Sequence, residues 1–360
     1  MQLKPLKVGK YTIPLPIFQG GMGVGISWDN LAGNVSKNGA FGIISCVGTG
    51  YYKSGAFVEK LIKHRPKDTI NFYSKKSLFE IFKNARKICG NNPIGANILY
   101  AINDYGRVVR DACEAGANMI VTGAGLPTNM PEFTSNFPDV ALVPIVSSAK
   151  ALKILCKRWE GRYKKIPDAV VVEGPLSGGH QGVSYEDCFK PEYQLEAIVP
   201  EVLEEAKAWG NMPIIAAGGI WDKNDIQKFL DLGASGVQMG TRFLGAKECD
   251  ARYYNELMLR VKKEDIELIK SPVGYPARAI VTGIIKAIRE GTKAKISCVS
   301  NCVSPCHRGE EAKKVGYCIA DGLGDGYLGD KDKGLYFTGA NGYRIEKIQS
   351  VKEILDELTQ

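Results

Sequence analysis

Residues 169–182 read AVVVEGPLSGGHQG. Val170, Val171 and Val172 are apolar and β-branched at consecutive positions, as in a strand covered on both faces, not one with a wet side. The run stops at Glu173, and Gly178-Gly179 then precede His180, one of three histidines in the chain. Glycine lets backbone approach a bound group closely, and an unperturbed imidazole titrates near neutrality. The strand end therefore reads as a site where a base faces a ligand. Gly-Gly-His alone would also suit a plain surface turn, so the rest of the chain has to decide.

Seven more short apolar runs occur, at 16–19, 41–45, 94–98, 118–122, 141–146, 213–217 and 236–239. With 169–173 they make eight. Helical patterns separate them, for example 28–37, 105–115 and 223–232. Strands apolar at nearly every position, alternating with helices, belong to a parallel sheet with crossovers, and eight such units predict a (β/α)8 TIM barrel. An open doubly wound sheet is the rival, because periodicity does not report closure.

Several runs end in small or polar residues: Gln19-Gly20-Gly21-Met22-Gly23, Asn97, Thr122-Gly123-Ala124-Gly125, Glu173, Gly218-Gly219 and Gln238-Met239-Gly240-Thr241. A barrel gathers these ends on its C-terminal face, where the loops after strands seven and eight commonly cup a phosphate. Glycines there expose backbone N–H groups, and Thr241 adds a hydroxyl. Glycine is also abundant overall, 41 of 360 residues, well above the usual ~7%, and many glycines stand at the ends of runs.

The composition is that of an ordinary globular protein, 44% hydrophobic and 24% charged. The net charge of +8 comes from scattered Lys and Arg in short clusters such as 162–165, without a nucleic-acid recognition motif, so no nucleic-acid partner is expected. No run approaches the ~20 apolar residues of a membrane span, and the start lacks the apolar core of a signal peptide. A cytoplasmic protein without a membrane partner is the expectation. Cys46, Cys89, Cys113, Cys156, Cys188 and Cys249 lie far apart in sequence and read as reduced thiols.

Three segments follow from this reading: a barrel over 1–247, a small helical cap over 248–295, and a Cys-containing extension over 296–360. The extension ends in a helix at 350–358, whose Val351, Ile354, Leu355 and Leu358 should pack back on the barrel. Cys298, Cys302, Cys306, His307 and Cys318 concentrate soft ligands, but without the usual C-x-x-C spacing of zinc or cluster sites. No metal is assigned there; reduced thiols in a loop-rich tail are the plainer reading. His64 reads as a solvated helix-end residue. Arg278 either meets an acidic substrate or covers apolar surface with its stem. Tyr51, Tyr52, Tyr100 and Tyr275 could face the substrate space and receive no roles.

PIFQGGMGVGIS at 16–27, GAN at 95–97, TGAGLP at 122–127, EGPLSGGHQG at 173–182, PIIAAGGI at 213–220 and GVQMGTRF at 236–243 occur in that order. This set resembles the nitronate monooxygenase family, formerly 2-nitropropane dioxygenases, which is grouped with the flavin-dependent enoyl-ACP reductases. The resemblance implies a TIM barrel holding FMN without a metal. It places Gly21, Met22 and Gly23 against the flavin ring, and Asn97 and Glu173 on its isoalloxazine or ribityl side. Gly178, Gly219, Gln238, Met239, Gly240 and Thr241 surround the phosphate, with Gly179 and Gly218 in the same cradle. His180 is similar to the family's active-site histidine.

The implied reaction is oxidation of an alkyl nitronate by O2 to a carbonyl compound and nitrite. The alternative is NAD(P)H-dependent reduction of an enoyl thioester, and a third class is a flavin-binding protein with little turnover. The implied partners are a small-molecule substrate and O2; the oligomeric state stays open, a homodimer being one option.

Overall fold

The computed structural model describes residues 3–52, 74–296, 298 and 301–360. The chain begins with a hairpin, β1 (Leu6–Val8) and β2 (Tyr11–Ile13). Eight parallel strands follow: β3 (Ile17–Gln19), β4 (Gly42–Ser45), β5 (Ile94–Leu99), β6 (Met119–Gly123), β7 (Ala141–Val146), β8 (Val170–Glu173), β10 (Ile214–Ala217) and β11 (Gly236–Met239). Their order around the sheet is β3-β11-β10-β8-β7-β6-β5-β4. The ends of that sheet meet. Phe41 N–H donates to the Ile17 carbonyl and Gln19 N–H to the Phe41 carbonyl, both at 2.9 Å. Closure excludes the open sheet, and each of the eight strands falls within one residue of its run in the sequence.

The valine triplet explains why the sequence needs two cores. Val171 turns inward with Phe18, Phe41, Ile43, Val121, Val143 and Ile215, while Val170 and Val172 turn outward onto the helices. Inside, the Phe18 and Phe41 rings sit 4.7 Å apart. Leu6, Val8 and Ile13 of the hairpin join the same inner cluster and close the end of the barrel opposite the strand tips. Local signals start the helices: Ser148 caps Ala149–Tyr163, and a reciprocal Asp222–Asp225 capping box starts Lys223–Asp231. The helix Asp29–Lys37 has a long-range cap instead, since the Asp250 carboxylate accepts N–H bonds from Trp28 (2.9 Å), Asn30 (3.2 Å) and Leu31 (3.2 Å).

The segment expected to be a helical cap has α-helices only at its flanks, Arg252–Met258 and Gly283–Arg289. Its middle folds as two strands, β12 (Ile266–Ile269) and β13 (Ala277–Ile280), and β13 pairs antiparallel with β9 (Gly179–His180). Isolated four-residue strands leave too little periodicity to be recognised, and the pairing that defines them is remote in sequence. The final helix, Val351–Thr359, carries Ser350 and Glu353 as a capping box and buries the four anticipated apolar residues against the barrel helices. Among the described residues no helix is long and apolar enough to cross a membrane.

Candidate active site

The strand tips surround a cavity of about 240 Å³. All fourteen residues anticipated at the site line it: Gly21, Met22 and Gly23 after β3, Asn97 in β5, and Glu173 at the end of β8. Gly178, Gly179 and His180 come from the following loop, Gly218 and Gly219 from the tip of β10, and Gln238, Met239, Gly240 and Thr241 from the tip of β11. At several of these positions a side chain would collide with what is already there, most closely at Gly21 and Gly218. A Cβ on Gly21 would lie 2.2 Å from Asn97 Cβ. One on Gly218, where φ is +99°, would lie 2.6 Å from the Gly174 carbonyl oxygen.

His180 occupies β9 beside Ala277 of β13. Its Nε2 is 2.7 Å from Ser271 Oγ, and the Phe337 ring stands edge-on to the imidazole at 5.4 Å. Burial pushes its pKa down to about 4, so the ring is neutral at pH 7. Glu173 is also perturbed by burial, its carboxyl rising to about 7. Two titratable groups whose protonation is set by enclosure thus share one cavity, an arrangement found disproportionately at catalytic sites.

The sequence reading missed one side of the cavity. Phe337, Thr338, Gly339 and Asn341, from the C-terminal segment, line it too. Gly339 N–H donates to Thr241 Oγ1 at 2.9 Å, Ala340 N–H to the Leu176 carbonyl at 3.0 Å, and Asn341 Nδ2 to the Gly219 carbonyl at 2.7 Å. The contribution is largely backbone, which no motif would flag. A second group, including Leu99, Ile102, Val303, Ile319 and Leu323, gives the cavity an apolar half. Ser271, within the expected cap at 248–295, was missed as a partner of His180.

Other expectations resolve differently. Arg278 donates from Nη2 to the Pro175 carbonyl at 2.9 Å and supports the loop ahead of His180, outside the cavity lining. Tyr51, Tyr52, Tyr100 and Tyr275 are absent from the lining. Tyr51 and Tyr52 are buried in the core, while Tyr275 faces solvent. His64 lies outside the described residues. All ten cysteines are free thiols, and among the described residues no group of three or more His, Cys, Asp or Glu is placed to hold a metal ion. Of the C-terminal thiols, Cys302 reaches the cavity wall.

The sequence profile of the nitronate monooxygenase family matches residues 4–360. The chain belongs to that family. Probable nitronate monooxygenases of Staphylococcus saprophyticus and Staphylococcus aureus are each 33% identical to it, over 126 and 129 residues respectively. Those matches span 34% of this chain and about a third of the relatives' own length. Solved structures extend the likeness to nearly the whole chain. FabK from Thermotoga maritima has a TM-score of 0.71 at 25% identity, covering 96% of this chain and 92% of that one. A nitroalkane oxidase from Streptomyces ansochromogenes shares the fold, with a TM-score of 0.66 at 18% identity and coverage of 96% and 95%. In this member of the nitronate monooxygenase family the cavity lies at the C-terminal ends of the barrel strands, where barrel enzymes do their chemistry.

Proposed function

We propose that this chain is an FMN-dependent oxidoreductase that oxidises alkyl nitronates with O2 to carbonyl compounds and nitrite. The observation that carries the reading is a neutral imidazole, His180, facing a cavity built from glycine-rich strand tips. The residues present fit a flavin nucleotide. Gln238 Oε1 and Thr338 Oγ1 are buried without a hydrogen-bond partner among the described residues, in the lining of the cavity, and such orphans call for a polar ligand. The bare backbone at Gly21 and Gly218 provides the close approach a flat ring and a phosphate require.

We assign the ring to Gly21, Met22 and Gly23, its isoalloxazine or ribityl side to Asn97 and Glu173, and the phosphate to Gly178, Gly219 and Gln238 to Thr241, with Gly179 and Gly218 in the same cradle. FMN supplies, when bound, the electron-accepting ring and the reaction with O2. The protein does the rest. Unprotonated His180 takes the α-proton of a nitroalkane or orients the nitronate carbon, and its buried surroundings keep it neutral through the physiological range. Glu173, near half-protonation at pH 7, offers a carboxyl that both donates and accepts hydrogen bonds. The apolar half of the cavity excludes water from the reacting carbon and takes the alkyl chain.

A second reading, reduction of an enoyl thioester by a pyridine nucleotide, is favoured by one observation: the barrel is shared with an enoyl reductase domain of MlnA from Bacillus amyloliquefaciens, at a TM-score of 0.62 and 14% identity. Anaerobic mixing of the holoenzyme with propyl nitronate, NADH or NADPH separates the readings. Rapid bleaching of the flavin by nitronate alone, and nitrite release in air, is the expected result. Bleaching by pyridine nucleotide alone would install the reductase. No bleaching by any of the three leaves a binding protein, and a preparation that takes up no FMN ends both enzymatic readings.

A further inference from the structure

The C-terminal tail, which the sequence marks by its thiols, also brings hydrocarbon to the cavity. Val303, Ile319 and Leu323 line it together with Leu99, Ile102 and Val273, and all six belong to one apolar cluster. That cluster begins beside His180. Val273 N–H donates to Ser271 Oγ at 3.3 Å, and Ser271 Oγ lies 2.7 Å from His180 Nε2. A ligand whose polar end meets the imidazole therefore finds carbon next to it.

Two devices hold this wall in place. The first is a short antiparallel pairing. Asn103 N–H donates to the Cys302 carbonyl at 3.1 Å and Ser304 N–H to the Ala101 carbonyl at 2.9 Å, which sets Val303 opposite Ile102. The second is the helix Ile319–Tyr327, whose sequence IADGLGDGY carries glycine at 322, 324 and 326. Glycine is a poor helix former, so three in nine residues call for another reason, and that reason is close packing. A Cβ on Gly326 would lie 2.8 Å from the Leu335 carbonyl oxygen, one on Gly322 would lie 3.1 Å from Leu335 Cβ, and one on Gly324 would collide with the Tyr51 hydroxyl. Leu335 N–H also donates to the Gly322 carbonyl at 2.7 Å. Gripped by Leu335 and Tyr51, the helix has little room to shift. Ile319 and Leu323, four residues apart and so on one face, meet the cavity as a fixed surface.

We propose that Val303, Ile319 and Leu323 are specificity-determining residues, a rigid wall that selects substrates by the length of an unbranched aliphatic chain. The proposal rests on the nitronate reading only for the head group that His180 meets; the chain is recognised by hydrocarbon contact alone. Burial of one methylene is worth about fourfold in affinity. A yielding wall would reward every added carbon. A fixed one rewards each carbon until the chain end reaches Ile319 and Leu323, and rejects the next.

The test titrates the FMN-loaded enzyme with linear primary alkanols, butanol to decanol, by calorimetry, and measures turnover with the nitronates of linear primary nitroalkanes, nitroethane to nitrooctane. Alkanol affinity is expected to climb about fourfold per methylene to a sharp limit. The nitronates should show the same climb in kcat/KM, carried by KM. Leu323→Ala opens the wall and moves the limit to longer chains, so the first chain rejected by the parent gains about fourfold or more. Ile319→Ala repeats that lengthening, while Leu323→Phe fills the space and moves the limit to shorter chains. Opposed shifts from one position cannot come from loss of structure.

Alkanol affinity that does not rise with length overturns the proposal, as does a limit left in place by the Leu323 and Ile319 variants. Alkanol binding needs no turnover. A sharp limit in an enzyme inert to nitronates therefore refutes the proposed reaction and leaves the wall, whereas nitronate oxidation indifferent to chain length refutes the wall and leaves the reaction.

Discussion

Gly218→Ala offers a measurement of how tightly the cavity is built, because the protein contains its own control. Gly218 and Gly116 share the same backbone dihedral, φ +99°, outside the comfortable range of L-residues. A methyl on Gly116 meets nothing within 4 Å, so Gly116→Ala carries the conformational penalty alone, about 1–2 kcal/mol. At Gly218 the same methyl lies 2.6 Å from the Gly174 carbonyl oxygen. That carbonyl cannot easily retreat, since Gly174 N–H donates to the Ala217 carbonyl at 2.9 Å and Ser177 N–H donates to the Gly174 carbonyl at 3.3 Å. Overpacking of this kind adds about 1–3 kcal/mol. The expected totals are about 1–2 kcal/mol for Gly116→Ala and about 2–5 kcal/mol for Gly218→Ala. Urea unfolding of both apoproteins, with free energies taken by linear extrapolation, reads the difference. Costs that agree within about 0.5 kcal/mol would refute the steric argument. Gly218→Ala should also lose flavin on gel filtration while Gly116→Ala retains it.

His180→Asn keeps polarity and approximate volume but removes the base, and should lower nitronate turnover at least ~100-fold with FMN content unchanged, as read by stopped-flow bleaching and the flavin-to-protein ratio. Glu173 has a folded pKa of about 7 against 4.5 unfolded, so it stabilises the fold fully below pH 4.5 and that contribution is lost as pH rises through 7. Glu173→Gln should therefore raise stability at pH 8 relative to pH 5 by about 2–3 kcal/mol compared with the parent, at ~1.4 kcal/mol per pKa unit; parallel pH–stability curves from denaturant titrations would contradict it. Asp250→Ala strips the acceptor from three N–H groups at the start of Asp29–Lys37 and should cost about 1–3 kcal/mol in thermal or chemical unfolding, with an effect under ~0.5 kcal/mol counting against the capping role.

The barrel was legible because its signal is local. A strand buried on both faces must be apolar at every position, as in Val170 to Val172, and the next strand cannot begin until a helix has carried the chain back. The lining of the cavity was legible for a related reason. Strand tips and loops that line a cavity with bare backbone against close neighbours must be small, and the sequence writes this as glycine at Gly21, Gly178 and Gly218. What stayed hidden depends on contacts between distant segments. Ser271 looks like any serine until β13 pairs with β9 and brings it to His180. Gly339 and Ala340 act through N–H groups that every residue except proline possesses. Arg278 read as either an acidic-substrate contact or a stem over apolar surface, yet its partner is a main-chain carbonyl, which has no signature in sequence at all.

The wall supplied by Phe337, Thr338, Gly339 and Asn341 has a bearing on biogenesis. A ribosome that has released every barrel strand has still to synthesise this wall of the cavity, so a half-made chain displays its glycine tips without the clasp that Asn341 and Gly339 fasten onto Gly219 and Thr241. The cavity is therefore complete only once the segment carrying these four residues has joined the finished barrel.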